Sequence, residues 1–245
     1  MIKNSILAIC TLPVIVLAGC SSFDESVYEY HPPVSAVEKP LSENCYVMPV
    51  LDLRPASQKE HPVNMNDDLC VNYIPLWFYS KQEINPLVKF DYFRPDLQDM
   101  MQILIARDLR FSGIFQNVKM VRFEENSEKP VFGHVLKINI KEAVWNRNLT
   151  TYGLMFTGAF LWGIGLPVSY GNVSMELEAE LVEAQTKEVL AKGSFRAETD
   201  CKETMFSRVE YNPSIAEDRL CRIFPDVASQ IRAFVLKNIK GAGQQ

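Results

Sequence analysis

The sequence lacks the short motifs that mark common catalytic and nucleotide-binding sites. It contains no GxSxG nucleophile elbow, no P-loop, no GxGxxG fingerprint and no HExxH pattern. Its three histidines are scattered, and no CxxC or HxxxH spacing is present, so the sequence predicts no metal site. Asp52 is an available carboxylate, but nothing pairs it with a base or a metal; a strand-end contact with a neighbouring arginine is the simpler interpretation. We therefore expect no enzyme, no catalytic residue and no cofactor.

Clustered positive charge is also missing. The chain has 25 Lys and Arg against 30 Asp and Glu, a formal net charge of -5. Recognition of a nucleic-acid backbone needs a basic surface, so this balance argues against a nucleic-acid partner. With 47% apolar and 22% charged residues, the composition excludes a disordered or low-complexity chain. The 245 residues suffice for one large domain or two small ones.

The N-terminus has the pattern of a secretory signal. Lys3 precedes an apolar run from Ile6 to Leu17, which is too short for an ordinary membrane-spanning helix. The run ends in Leu17-Ala18-Gly19-Cys20, which resembles the lipobox of bacterial lipoproteins. This resemblance implies cleavage after Gly19, lipidation of Cys20 and anchoring by acyl chains such as palmitate. An ordinary signal peptide, or a short anchor that happens to contain cysteine, is the alternative.

The residues after the lipobox suggest where the protein is located and how it is divided. Ser21, where some lipoproteins have aspartate, implies sorting to the outer membrane with the domain facing the periplasm. The next twenty residues mix Ser, Asp, Glu and Tyr with prolines and show no sustained period, as in an extended tether. We predict a signal peptide over residues 1–19, a lipidated tether over 20–44 and a domain over 45–240 with an apolar insertion at 148–175.

Four cysteines are left for the mature domain once Cys10 is removed and Cys20 is acylated. An even number in the oxidising periplasm favours disulfides, although four cysteines allow three connectivities. We favour the pairs that close the shortest loops, with buried free thiols as the alternative. The pairs are Cys45 with Cys70 and Cys201 with Cys221.

The apolar pattern predicts one α+β domain, with a mixed, mostly antiparallel sheet and two main helices packed on one face. The predicted elements are a strand at 46–53, a helix at 97–109 ended by Ser112-Gly113, strands at 114–123 and 131–145, a hairpin of 172–183 with 189–199, and a helix from Pro213 to Val235 that Pro225 kinks or divides. In the segment 172–183 apolar residues alternate with Ser and Glu, which predicts a strand with one apolar and one acidic face.

A resemblance arises where the first long helix ends. The sequence Ala106-Arg107-Asp108-Leu109-Arg110-Phe111-Ser112-Gly113 leads at once into a predicted strand beginning Ile114-Phe115-Gln116-Asn117-Val118. This pattern is similar to one in periplasmic lipoproteins whose domain resembles the N-terminal domain of TolB, among them the curli-secretion lipoprotein and the penicillin-binding-protein activator lipoproteins. The resemblance implies an α+β domain that serves an envelope assembly. The segment 54–93 and the two cysteine pairs depart from the pattern.

An uncharged stretch between Arg147 and Glu176 is the most distinctive part of the mature chain. Within it large apolar side chains occupy mostly even positions; the six candidates for a partner or membrane surface are Tyr152, Phe156, Phe160, Trp162, Ile164 and Leu166. A period of two predicts two short strands around residues 163–167, although the same spacing allows a helix with one apolar stripe. A buried connection over the sheet, a partner-binding or oligomer-forming surface, and a membrane-inserting hairpin remain open.

Three functional hypotheses follow. The first is a non-catalytic accessory or scaffold lipoprotein of a cell-envelope assembly or transport complex, with the lipid bilayer as a partner through Cys20 and one or more envelope proteins as further partners. The second is a homo-oligomeric secretion or export channel component that inserts residues 152–170 into the membrane. The third is a lipid- or glycan-processing enzyme, which requires a pocket with convergent polar groups.

Overall fold

The structure, a computed structural model, describes residues 32, 40–60, 63–65, 79–84, 97–122, 132–204 and 213–242. The elements are β1 (Ser42–Val47), β2 (Leu51–Asp52), α1 (Ala56–Glu60), β3 (Val63–Met65), β4 (Tyr79–Ile84), α2 (Leu97–Ser112), β5 (Phe115–Met120), β6 (His134–Thr150), a 3₁₀ turn (Met155–Gly158), α3 (Ala159–Gly163), β7 (Pro167–Glu183), β8 (Val189–Thr204) and α4 (Pro213–Ala242).

Strand β6 is the centre of a mixed sheet. Along one edge it pairs with β7 in antiparallel register, and β7 pairs in turn with β8. Along the other edge it pairs successively with β1, β2 and β4, the first two in parallel and the third in antiparallel register. β5 lies parallel to β1, and β3 lies antiparallel to β4. A β-bulge between Ile140 and Glu142 shifts the register of β6 against β7.

The core lies between one face of the sheet and the helices α2 and α4. Helix α2 buries Leu97, Met101, Ile105 and Leu109, which recur every fourth residue. Helix α4 contributes a second apolar stripe, which includes the fully buried Phe224. Both helices belong to the same core, and Arg232 of α4 donates a hydrogen bond of 3.0 Å to Asp108 of α2. The predicted α+β class with two main helices on one face is confirmed.

The opposite face of β6, β7 and β8 carries ion pairs. Glu178 lies between two lysines, with its carboxylate oxygens 2.8 Å from Lys141 and 2.5 Å from Lys192. Hydrogen bonds from these lysines lower the pKa of Glu178. Lys137 and Glu180 form a further pair at 3.1 Å. This alternation of buried apolar and partly exposed acidic residues agrees with the pattern predicted for residues 172–183.

Several boundaries differ from the predicted ones. The first predicted strand is two strands, β1 and β2, and β1 begins at Ser42, inside the segment predicted as tether. Strands β3 and β4 were not predicted. Pro225 lies inside α4, which continues through it as a single helix, so of the two predicted effects of this proline, a kink or a division, the division is wrong. None of the described helices is long and apolar enough to cross a membrane.

Candidate functional site

Residues 151–166, which connect β6 to β7, form a compact projection that we call the apolar tip. It consists of a tight turn, the 3₁₀ turn and the short helix α3. The two strands predicted within this stretch are therefore wrong, and β7 begins only at Pro167. The helical alternative is met only in part: residues 155–163 are helical, but Tyr152 lies in the preceding turn and Ile164 follows the helix, so there is no single helix with one apolar stripe.

Close backbone contacts explain why the apolar tip folds in this way. Tyr152 and Gly153 have φ angles of 57° and 73°, which reverse the chain directly after β6. A Cβ atom at Gly158 would lie 2.0 Å from the carbonyl oxygen of Thr151, so only glycine allows the 3₁₀ turn to approach the end of the strand. These contacts fold the segment back on itself and prevent it from extending as a strand.

Two aromatic side chains attach the apolar tip to the strand ends. The indole Nε1 of Trp162 donates a hydrogen bond of 2.9 Å to the carbonyl oxygen of Thr150. The hydroxyl of Tyr152 donates one of 2.6 Å to the carbonyl oxygen of Pro167. Each ring is half-buried and its polar atom is used internally. The apolar tip is thus held in one orientation relative to the sheet.

Four large apolar side chains of the apolar tip are exposed to solvent. Phe160 and Ile164 are 78% and 76% exposed, and Leu154 and Leu166 are 48% and 39% exposed. This arrangement contradicts the interpretation of the whole segment as a connection buried over the sheet. The side chain of Phe156, another predicted surface residue, lies outside the described residues. Exposed apolar side chains in an uncharged stretch of this kind can mark a surface that binds a partner.

A buried ion cluster lies directly beneath the apolar tip. Arg147 on β6 is 2.8 Å from the carboxylate of Glu203 on β8, and Arg219 of α4 is 3.3 Å from the other oxygen of that carboxylate. Ser169 of β7 donates a hydrogen bond of 2.6 Å to Glu203. Both guanidinium groups also face the ring of Trp145, at 5.6 and 5.8 Å from its centroid.

This ion cluster connects the three strands and the helix that support the apolar tip. Arg147 and Glu203 are 1% and 0% exposed, so water solvates neither charge and the two depend on each other. The sequence reasoning missed the cluster, and used Arg147 only as the boundary of the uncharged stretch. No local signal distinguished Arg147, because β6 also carries Lys137, Lys141 and Glu142 on positions that are not fully buried.

A cleft of about 240 Å³ opens beside this cluster, between β8 and α4. Its lining mixes charges of both signs; the residues are Val173, Thr199, Asp200, Cys201, Lys202, Arg219, Arg222, Ile223 and Asp226. Among the described residues, no group of three or more His, Cys, Asp or Glu side chains could hold a metal ion.

The described cysteines are free thiols. Cys45 faces the core at 0% exposure, and burial raises its pKa to about 12. Cys201 is half-buried, and burial also raises its pKa. The two predicted disulfides are therefore not formed at these positions in the structure. Their predicted partners, Cys70 and the side chain of Cys221, lie outside the described residues.

Two further predicted residues are Cys20 and Asp52. Cys20, the predicted lipidation site, lies outside the described residues, as does the lipobox. Asp52 makes the strand-end contact with an arginine that the sequence indicated: its carboxylate is 2.7 Å from Arg54, and both side chains are buried. This carboxylate is thus part of a structural ion pair.

No protein-family model and no curated protein matches the chain. Solved structures that resemble it include protein XCC0632 from Xanthomonas campestris, with 10% identity, a TM-score of 0.44 and coverage of 90% of this chain and 100% of that one. A PelC dodecamer from Paraburkholderia phytofirmans has 12% identity, a TM-score of 0.31 and coverage of 81% and 95%. Lipoprotein GNA1162 from Neisseria meningitidis has 12% identity, a TM-score of 0.22 and coverage of 76% and 99%.

Proposed function

We propose that the protein is a lipid-anchored, non-catalytic lipoprotein of the bacterial outer membrane that faces the periplasm and acts as a scaffold in an envelope assembly. In this proposal, acyl chains on Cys20 hold it on the bilayer, and the apolar tip binds a protein partner. The observation that carries the proposal is the exposure of Phe160 and Ile164 on a tip held in place by hydrogen bonds and by the ion cluster.

Exposure of these apolar side chains to water costs free energy that binding of a partner would recover. Full burial of one large apolar side chain stabilises by roughly 1.5 to 3 kcal/mol. Scaled by the exposed fractions of Leu154, Phe160, Ile164 and Leu166, complete covering of the tip contributes about 4 to 7 kcal/mol. This range is similar to the marginal binding energy of a single acyl chain. Such a contact suits a protein that is already confined to the membrane surface.

Prior fixation of the apolar tip further favours binding. Ordering a rotamer-rich side chain at an interface costs about 0.5 to 1.5 kcal/mol. Because Trp162 and Tyr152 already connect the tip to the strand ends, the backbone carrying Phe160 does not need to be ordered when a partner binds. This prior fixation supports the proposed role of the tip in binding a partner.

The proposal is tested by making the tip polar in the full-length acylated chain. We expect the double variant Phe160→Asp and Ile164→Asp to keep its thermal unfolding midpoint but to lose the protein that copurifies with the wild type in mild detergent. The matched control is Phe132→Asp, which changes a 59% exposed phenylalanine outside the tip. This control should retain both stability and partner.

Three results would contradict the proposal. An unchanged set of copurifying proteins in the double variant would show that the tip is not the binding surface. A native complex containing copies of this chain alone, arranged as a ring, would favour the homo-oligomeric channel component. Failure of labelled palmitate to enter the wild-type protein, or its entry into Cys20→Ser, would remove the lipid anchor.

A further inference from the structure

The cleft of about 240 Å³ between β8 and α4 is a second surface feature, separate from the apolar tip. Among the strands that the structure describes, β8 pairs with β7 alone, so its other edge is free. Helix α4 runs antiparallel to β8, because Arg219 near the start of α4 contacts Glu203 near the end of β8. Further along the helix, Phe234 packs on Phe195. The cleft is therefore a groove between a free strand edge and a helix, and a free strand edge is a common binding site for extended peptides.

The backbone of β8 presents hydrogen-bonding groups to this groove. The carbonyl oxygen of Arg196 accepts a hydrogen bond of 3.0 Å from Gln230 of α4, so this oxygen points away from β7. Because the backbone groups of an antiparallel strand alternate between its two edges, those of Glu198, Asp200 and Lys202 also point to the free edge. No other described residue hydrogen-bonds them. A peptide that lies along this edge can therefore pair with them as an additional strand.

The helix wall of the groove carries opposite charges at its two ends. Arg219 and Arg222 lie three residues apart on α4, and Asp226 follows one turn later; all three line the cleft. Arg222 and Asp226 are exposed, and neither forms an ion pair with another described residue. In contrast, Glu178 on the opposite face of the sheet is paired with two lysines. The groove thus offers two guanidinium groups to a carboxylate and one carboxylate to an ammonium group.

Contacts within the protein limit the length of the groove. The hydrogen bond between Gln230 and Arg196 crosses it at one end, and the ion pair of Arg219 with Glu203 closes the other. The distance from Arg219 to Asp226 along the helix axis is about 10 Å at roughly 1.5 Å per residue. Three residues of an extended peptide also span about 10 Å. A longer chain would have to displace the side chain of Gln230.

We propose that this cleft binds a short free peptide of about three residues with small side chains, as an extended strand parallel to β8. The terminal carboxylate of the peptide lies between Arg219 and Arg222, and its amino group lies beside Asp226. The backbone of the peptide pairs with the free edge of β8 at Asp200 and Lys202. The two charged ends select a zwitterion, and the spacing between them selects its length.

Protection of Cys201 from alkylation tests the proposal, because its half-buried thiol lines the cleft. The full-length acylated chain in detergent micelles is treated with N-ethylmaleimide at increasing concentrations of trialanine. Mass spectrometry of the peptide that contains Cys201 gives the rate of alkylation. We expect trialanine to slow this alkylation several-fold and to saturate. Trialanine amide and N-acetyltrialanine each lack one terminal charge and should need concentrations about tenfold higher for the same protection.

Substitutions assign the two ends of the peptide. Arg222→Gln should raise the half-protecting concentration of trialanine by about tenfold and leave that of trialanine amide unchanged. Asp226→Asn should act in the same way on trialanine and leave N-acetyltrialanine unchanged. The matched control is Arg196→Gln, because this exposed arginine of β8 pairs with Glu142 on the opposite face of the sheet. The control should bind trialanine as the wild type does, and urea unfolding should show that all three variants are folded.

Several results would overturn the proposal. One is equal protection by trialanine and both blocked analogues, and another is no protection by any of them. A folded Arg222→Gln variant that trialanine protects as strongly as it protects the wild type would also contradict it. Equal half-protecting concentrations of trialanine and pentaalanine would overturn the length limit and indicate the end of a longer chain instead. None of these results changes the protein that copurifies through the apolar tip, so the two proposals fail separately.

Discussion

The buried ion cluster allows a quantitative prediction. In Glu203→Gln the side chain keeps its shape but loses the charge that faces Arg147, which is 1% exposed. Removing one partner of a buried ion pair leaves an uncompensated charge and costs about 3 to 5 kcal/mol. The same substitution at Glu180, whose partner Lys137 is 51% exposed, should cost less than about 1 kcal/mol.

Urea unfolding of the detergent-solubilised full-length chain, followed by tryptophan fluorescence, measures this difference. With a slope of about 2 kcal/mol per molar urea, the midpoint should fall by about 2 M for Glu203→Gln and by less than 0.5 M, roughly, for Glu180→Gln. A double variant, Arg147→Met with Glu203→Leu, should recover most of the loss because no buried charge then remains unpaired.

The reasoning would be refuted if Glu203→Gln were no more destabilising than Glu180→Gln. It would also be refuted if the double variant were as unstable as the single one, because the cost would then come from lost shape or hydrogen bonding rather than from the charge of Arg147. Since Arg219 is 11% exposed, its guanidinium can reach water when Glu203 is absent.

Two further substitutions and one titration test other parts of the structure. Gly171→Ala should lower the unfolding temperature by several degrees, because the new Cβ atom would lie 1.9 Å from the carbonyl oxygen of Asn146. Gly163→Ala should raise the unfolding temperature by about 2 to 4 °C, because a Cβ atom there would have no atom within 4 Å. Calorimetry compares the two, and equal effects would contradict the predicted contact. Burial raises the pKa of Cys45 from 9.0 to about 12, so its contribution to stability is complete below pH 9 and is lost as the pH rises from 9 to 12. Cys45 should therefore resist alkylation by iodoacetamide at pH 8 in the native state, and it should react fully in urea without a reductant. Mass spectrometry of the peptide that contains Cys45 measures both results. An unmodified Cys45 peptide in urea would indicate a disulfide instead.

Elements with a strong local pattern were predictable from the sequence. Helix α2 was recognised because its apolar residues recur at helical spacing, and its end because Ser112 and Gly113 stop it. The structure gives the physical reason: the hydroxyl of Ser112 donates a hydrogen bond of 2.6 Å to the carbonyl oxygen of Leu109, and Gly113 has a φ angle of 70°. The alternation in β7 likewise indicated correctly which of its faces lies on the core.

The candidate site was predictable only in part. The uncharged stretch drew attention to the right residues, but an even spacing fits both a strand and a helix, and the contact of Gly158 with Thr151 that decides between them is not visible in a single sequence. The ion cluster is even harder to predict from the sequence. Arg147 and Glu203 are 56 positions apart and meet only because two hairpin registers place Ser169 beside both, and such registers depend on pairings along the whole sheet.

The placement of β1 beside the beginning of β6 has a mechanical consequence. A force acting between an anchor that precedes Leu41 and a partner at the apolar tip would pull β1 and β6 in opposite directions along their common axis. The hydrogen bonds of Cys45, Tyr46 and Val47 with β6, and those of β1 with β5, would then be loaded together in shear rather than opened one after another. A domain built in this way would transmit tension from β1 to β6 across their shared backbone hydrogen bonds, which would resist it together.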